Sequence, residues 1–284
     1  MNNTAIQRFL RAVLWRWERT VTWMGNIVRP GRNPYAFNEK LFADVNALED
    51  TQIEIARKKF QEFAKTRGYD NDFQELWETH IYRILLSANW MEEALRSLPS
   101  NSVVIDLGTE NVVSDYWRFR FPQVQWINTD FDLRYPWPTL PQSCDLIICT
   151  ETVEHLADHV NQSFNEGFYQ SGMNSLLKES FKALRPGGCL FLTTPNAASV
   201  LHIRAVLQGD PPWFFLQHVR EYTMKEVEDH LINTGFEVIK KKDVHCMSVM
   251  AYSDYAPIFK LLLDHGYSPN GRGDDLFLLA RKPM

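Results

Sequence analysis

The sequence predicts an α/β protein, a mostly parallel sheet flanked by helices and preceded by a helical N-terminal third. Three observations predict it. Short apolar runs alternate with helical patterns from Asn101 onward, whereas the first hundred residues carry helical periodicity alone. A length of 284 residues, 45% apolar and 23% charged, is enough to bury the core that such a sheet needs. With only 13 Gly and 14 Pro, the composition excludes collagen, low-complexity disorder and a repeat array. The expected organisation is a basic helix and linker at residues 1–32, a helical extension at 33–100 and the sheet domain at 101–284.

The elements follow in order. Residues 5–24 place Ile6, Phe9, Leu10, Val13, Leu14, Trp17 and Val21 on one stripe, with Arg8, Arg11, Arg16 and Arg19 largely off it. Pro30, Gly31 and Pro34 break the chain. A second helix is expected from a capping box at Thr51-x-x-Glu54 to Gly68, and a third from Asn71 to Leu98, stopped by Pro99. Four buried strands are read at 102–107 (SVVIDL), 124–129, 145–149 (DLIIC) and 189–194 (CLFLTT). A helix with Leu176, Leu177, Phe181 and Leu184 precedes the last of these, and Arg185-Pro186-Gly187-Gly188 is expected to end it. Thr223-x-x-Glu226 caps a further helix closed by Gly235; strands at 236–240, with 246–251 as a continuation, and 276–280 complete the chain.

The net charge is −5, but residues 1–32 alone carry +5, which leaves −10 for the remainder. An acidic body whose one basic segment is a short helix without a binding module disfavours nucleic acid as a partner. The basic amphipathic helix has two readings, attachment to an anionic membrane surface or packing on the domain or a second subunit. No run of about 18 apolar residues suggests a membrane span, and the basic start lacks the apolar core of a secretory signal, so a cytoplasmic chain is expected, with membrane association through residues 5–24 as one reading. Cys144, Cys149, Cys189 and Cys246 have neither paired C-x-x-C spacing nor a disulfide pattern, and no metal site is expected. The oligomeric state is left open.

Ligands of such sheets bind beyond the carboxyl ends of the strands. Asp106 and Gly108 follow the first strand, Asp130 and Asp132 the second, and Thr150, Glu151, Glu154 and His155 the third. Five carboxylates and an imidazole suit a cationic, ribose-bearing ligand better than a pyrophosphate. Taken singly, Asp106 reads as a helix cap and His155 as a surface residue. Their order and spacing carry the site. A nicotinamide dehydrogenase is the competing enzyme class, but the G-x-G-x-x-G it would want is absent.

V-V-I-D-L-G (103–108), the acidic stretch 130–132, C-D-L-I-I-C-T-E-T-V-E-H-L (144–156), L-K-E-S-F-K-A-L-R-P-G-G-C-L-F-L-T-T-P-N (177–196) and H-V-R-E-Y-T…T-G-F-E-V (218–238) resemble the ordered motifs of class I S-adenosylmethionine-dependent methyltransferases, and within them the bacterial branch that acts on glycans, lipids or small molecules. The resemblance covers about residues 100–284. It implies a Rossmann-like, mostly parallel sheet with an antiparallel last strand, and S-adenosylmethionine as cofactor. Carried over, Asp106, Gly108, Thr109 and Glu110 would lie against its methionine part, Asp130 at the ribose, Phe131 at the adenine, and Thr150 and Glu151 along the sulfonium side, with the Asp130/Asp132 pair at an adenine-contacting position as the alternative. His155 would be the general base for an O-methylated hydroxyl of a glycan, lipid-linked or small-molecule acceptor. Acceptor contacts are expected from 197–222, through His202, Arg204, Trp213, His218, Arg220 and Tyr222, with Trp77, His80 and Tyr82 as an opposite wall.

Two departures stand out. Glu110 and Val112 occupy positions where the family's first loop has its second and third glycines, which motivates the alternative of a non-catalytic methyltransferase-like binding or scaffold protein. Only 14 residues separate Asp130 from the strand-opening residue Asp145, too few for a helix and another strand, so one βα unit is expected to be missing or compressed.

Overall fold

The computed structural model describes residues 39–108, 111–129, 131–138, 142–157, 159–160, 169–170, 172–212, 215, 217–246 and 255–284. The helix expected at 5–24 lies outside the described residues, as do Thr109, Glu110, Asp130, Trp213 and the continuation beyond Cys246.

Helices α1 (Glu39–Asn46), α2 (Asp50–Arg67) and α3 (Phe73–Ser97) make up the helical portion. Their apolar stripes meet in an aromatic cluster in which Phe60 lies within 5.4–5.9 Å of the Phe63, Phe73, Trp77 and Tyr116 rings. Glu39 ties α1 to both neighbours, accepting from Trp77 Nε1 at 3.0 Å and pairing with Arg57. The capping box of α2 falls elsewhere than expected. Glu49 caps the helix and Gln52 reaches back to its N–H, while Thr51 sits inside the first turn. Glu49 fills, two residues earlier, the acceptor role that the sequence pattern offers to Thr51. Gly68 ends the helix at φ 79°, as expected.

From β1 (Val103–Leu107) the chain alternates. Helix α4 (Val112–Arg120) is capped by Asn111, whose side chain accepts from the N–H groups of Val113 and Ser114; it is followed by β2 (Gln125–Asn128) and β3 (Cys144–Thr150). No helix or strand is found between β2 and β3 among the described residues, in agreement with the short interval. A two-stranded ribbon, β4 (His159–Val160) with β5 (Tyr169–Gln170), leads to α5 (Gly172–Ala183) and β6 (Leu184–Pro195). Arg185-Pro186-Gly187-Gly188 lies within β6 instead of ending the helix, at a register shift between the Cys144 and Leu146 pairings. Gly187 takes φ 80° there, and a Cβ on Gly188 would come within 3.0 Å of the Asp145 carbonyl, so the two glycines allow an irregular strand to stay paired.

Helix α6 (Val200–Gln208) occupies part of the stretch that the sequence offered as an acceptor loop, and is followed by α7 (Met224–Thr234), β7 (Glu237–Val244), α8 (Ala256–Asp264) and β8 (Asp275–Arg281). The six-stranded sheet runs β2-β1-β3-β6-β8-β7; β2, β1, β3 and β6 are mutually parallel, and β8 is antiparallel to both its neighbours. This is the Rossmann-like sheet with an antiparallel last strand that was expected.

Strand alternation divides the side chains between two faces. Ile105, Leu107, Ile147, Leu190, Leu192 and Leu278 pack with Met173, Leu176 and Leu177 of α5 and Val227 and Leu231 of α7. On the other face Trp90 of α3 meets Phe191 and Phe277 edge-on, 6.2 and 6.5 Å between centroids. Asp106, Thr150 and Thr193 share that second face at the carboxyl ends of β1, β3 and β6, where α3 and α4 approach.

Candidate active site

Gly108 makes the first turn of the site possible. Its φ of 102° lies where L side chains rarely go, and a Cβ would stand 3.2 Å from Thr152 Oγ1. Its N–H donates to Thr129 Oγ1 at 3.0 Å, so the carboxyl ends of β1 and β2 are joined directly. Asp106 is 6% exposed and lines a narrow cavity with Arg83, Ser114, Thr150 and Thr193. Asp132 is a bidentate partner of Arg134, with contacts of 2.6–3.2 Å, and faces its own loop. Phe131 packs on Trp137, 5.7 Å between ring centroids.

Thr150 ends β3 opposite Thr193. The next residue, Glu151, adopts φ 50°, a left-handed conformation uncommon for a residue other than glycine and frequent at functional sites. Its backbone N–H donates to the Thr193 carbonyl at 3.1 Å, and Thr193 Oγ1 donates to Glu151 Oε1 at 2.6 Å. Asp275, wholly buried at the start of β8, is hydrogen-bonded to Glu151; burial first, and then the Glu151 charge, raises its pKa well above the usual carboxylate range.

Arg83, which the sequence reading missed, faces this pair from α3. It donates from Nε to the Tyr82 hydroxyl at 2.7 Å. Burial opposes its charge, but Tyr82, Glu151 and Asp275 outweigh burial and hold the guanidinium protonated. Trp77, expected in an opposite wall, is fully buried in the aromatic cluster instead; Tyr82, 8% exposed, is the member of that set that stands beside Arg83. Nothing in the helical spacing separates Arg83 from an ordinary solvated arginine. Only the fold brings it to the acids.

The remaining residues gather on the other side of β3. Val153–His155 form a 3-10 turn. The Glu154 side chain has no exposure and accepts from Thr194 Oγ1 at 2.9 Å, while its backbone carbonyl accepts from Val219 and Arg220. Burial, then Glu151, raises its pKa well above the ordinary value. His155 is 43% exposed; burial, then His218, lowers its pKa. The two imidazoles lie edge-to-face, 4.8 Å between centroids.

Of the expected acceptor residues, His218 alone joins His155 in this group. His202 is 4% exposed, its Nδ1 2.5 Å from Ser199 Oγ and its Nε2 paired with Glu221, so it braces the segment from behind. Glu221 also holds His218 Nδ1 at 2.6 Å. Tyr222 is fully buried, and Arg220 stacks on its ring at 5.1 Å while pairing with Glu226 at 3.1 Å. Arg204 lies over the Tyr255 ring at 5.5 Å.

Residues 82–241, more than half of the chain, match the family model described as a methyltransferase domain. The chain belongs to that family, as a methyltransferase whose methyl donor is S-adenosylmethionine. No curated protein matches the sequence. Similar solved structures include an S-adenosylmethionine-dependent methyltransferase from Mesorhizobium loti (16% identity, 68% of this chain and 98% of that chain, TM-score 0.37) and phosphoethanolamine N-methyltransferase 2 of Haemonchus contortus (12%, 69% and 53%, TM-score 0.40). The 4+2 cyclase SpnF is another (16%, 69% and 79%, TM-score 0.40). The family assignment rests on the domain match.

The side chains here are of the kinds that would suit the methionine end of this cofactor. Gly108 leaves open a space that a side chain would fill, and a buried carboxylate (Asp106) and a buried guanidinium (Arg83) border one cavity, complementary to an α-amino and an α-carboxylate group.

Proposed function

We propose that the protein methylates a hydroxyl of a glycan, lipid-linked or small-molecule acceptor. The observation that supports the reading is that Asp106 and Thr150 line one cavity with Arg83 at the carboxyl ends of parallel strands, with Glu151 next in the chain and the half-exposed His155 on the turn that follows β3. Bound S-adenosylmethionine supplies an activated methyl group on a sulfonium. Asp106, Gly108 and Arg83 hold its methionine end, with Thr109 and Glu110 along the same loop; Asp130 or Asp132 serves the ribose and Phe131 the adenine side. Thr150 and Glu151 line the reacting side, where carboxylates suit a positive centre.

The protein's task is alignment, exclusion of water and removal of one proton. His155 has the chemistry for the last, because its lowered pKa keeps the imidazole neutral and able to accept a proton near pH 7. His218 stands beside it toward the acceptor, and His202 acts through Glu221 as a positioning residue.

Calorimetric titration with S-adenosylhomocysteine is the test. Binding in the micromolar range is expected, and none up to millimolar ligand would overturn the reading. Labelled S-adenosylmethionine incubated with metabolite extracts then identifies the acceptor. Binding of the cofactor with no transfer to any extract would favour the binding-protein alternative.

A further inference from the structure

Glu154 and His155 stand on the turn after β3, and His218 reaches them from the segment before α7. One donor atom from each lies within 4.8 Å of the other two. Two features set this group apart from an ordinary polar cluster. The first is an unsatisfied oxygen. Glu154 Oε2 accepts from Thr194, but Oε1, in a side chain with no exposure, has no hydrogen-bond partner among the described residues; His155 Nε2, at 3.7 Å, is beyond hydrogen-bonding reach. A buried carboxylate oxygen without a donor is costly and needs a reason.

The second is the anchoring of both imidazoles. His155 directs Nδ1 at the Gln217 carbonyl at 3.4 Å, and His218 directs Nδ1 at the Glu221 carboxylate at 2.6 Å. Nε2 is the nitrogen left to each. A histidine whose one nitrogen is held by a carbonyl or carboxylate while the other faces a shared point is the usual arrangement of a metal ligand. Glu221 is itself braced by His202, so the supporting shell is two residues deep.

We propose that Glu154, His155 and His218 form a site for a divalent cation of the zinc class, open on the acceptor side. Two imidazoles and one carboxylate select a borderline metal over magnesium or calcium, which take oxygen ligands, and leave a fourth position vacant. Tetrahedral bonds of about 2.0–2.1 Å place ligand atoms roughly 3.4 Å apart. The present spread, at most 4.8 Å, closes by a tilt of the half-exposed His155 ring about its Nδ1 contact with the Gln217 carbonyl. Resting on the O-methylation reading, the site's role is to take the acceptor hydroxyl as fourth ligand. The O–H bond then breaks with its electron pair kept on oxygen and its proton released to solvent, as cation-bound hydroxyls ionise near neutral pH. In the loaded protein His155 is a ligand, and the cation replaces it as the agent that removes the proton.

The sequence could not display this site, because its histidines are far apart and no cysteine takes part. The test uses the untagged full-length chain, stripped with chelator and titrated with Zn2+ against a competing chelator, with Mg2+ as a second arm. One Zn2+ per chain and little response to Mg2+ are expected. His155→Ala and His218→Ala should each weaken Zn2+ binding at least tenfold, and Glu221→Gln about ten- to hundredfold. Thermal melts identify any variant that fails to fold; His155→Ala, at a half-exposed position, is the one expected to fold normally. No Zn2+ uptake by the parent chain, or equal uptake by folded His155→Ala, would overturn the proposal. S-adenosylhomocysteine binding, measured on the same samples, is expected to be unchanged. Its absence in a chain that takes up Zn2+ would remove the methyltransferase mechanism and leave the cation site standing.

Discussion

Arg83 and Gly108 show what single residues do in this site. Gly108 was legible in the sequence because a glycine after an apolar strand has few other uses, and the structure gives it a positive φ and a near neighbour in Thr152. Gly108→Ala is therefore expected to cost about 1–2 kcal/mol from the left-handed backbone alone, read as a lower urea midpoint at unchanged slope, and to weaken S-adenosylhomocysteine binding. Arg83 was not legible, since its meaning comes from Glu151 and Asp275, which only the sheet brings near it. Removing a buried cation from its acids typically costs 3–5 kcal/mol. Arg83→Met should show a loss of about that size, and Glu151→Gln in the same chain should restore part of it, because the carboxylate left uncompensated is then neutral. Additive losses in that double-mutant cycle would mean that the two side chains do not interact. His202 erred in the other direction. Histidine in a polar segment reads as a binding residue, yet its burial behind Glu221 makes it a support.

At the scale of elements, periodicity located α2, α3, α5, α7 and the sheet strands to within a few residues, whereas caps were harder. Thr223 caps α7 as its box predicts, with the Glu226 side chain returning to the Thr223 N–H at 2.8 Å, so Thr223→Ala should cost about 1 kcal/mol. Thr51→Ala should cost much less, because Glu49 holds the capping role in α2. Chemical denaturation of the two variants separates these outcomes. Helix α3 also carries a pH dependence. Burial, and secondarily Arg83, lowers the pKa of His80 to about 4, and its Nδ1 is buried without a partner among the described residues. The folded state thus holds His80 neutral, while the unfolded chain protonates it near pH 6.5. Its contribution is fully present above about pH 6.5 and is lost as pH falls toward 4, by about 3 kcal/mol at most. His80→Gln should flatten that part of the stability profile; an identical acid limb in the variant would assign the loss to other groups.

For the molecule as a whole, the short Asp130–Asp145 interval signals a βα unit that is missing or compressed, and among the described residues β2 is the edge strand where that unit would pair. What the interval could not disclose is how the two sheet faces divide the work, with Arg83 and the acids against α3 on one and the Glu154 group on the other side of β3. Side-chain alternation decides that, and it depends on a register the sequence leaves open. Among the described residues no helix is long and apolar enough to cross a membrane. Residues 1–32 carry +5, and we propose that residues 5–24 bind anionic lipid. Each arginine near such a surface contributes about 1 kcal/mol, an attraction that salt screens within a Debye length. The full chain should sediment with phosphatidylserine-containing vesicles, less so in 0.5 M salt (about half of the ~1 M at which screening reaches 3 Å), and not with neutral ones. A chain lacking residues 1–32 should lose this binding yet take up S-adenosylhomocysteine with unchanged affinity. Equal sedimentation of the two chains would return the helix to its other reading, as a surface for the domain or a second subunit, and the acidic body would then be its natural counter-charge.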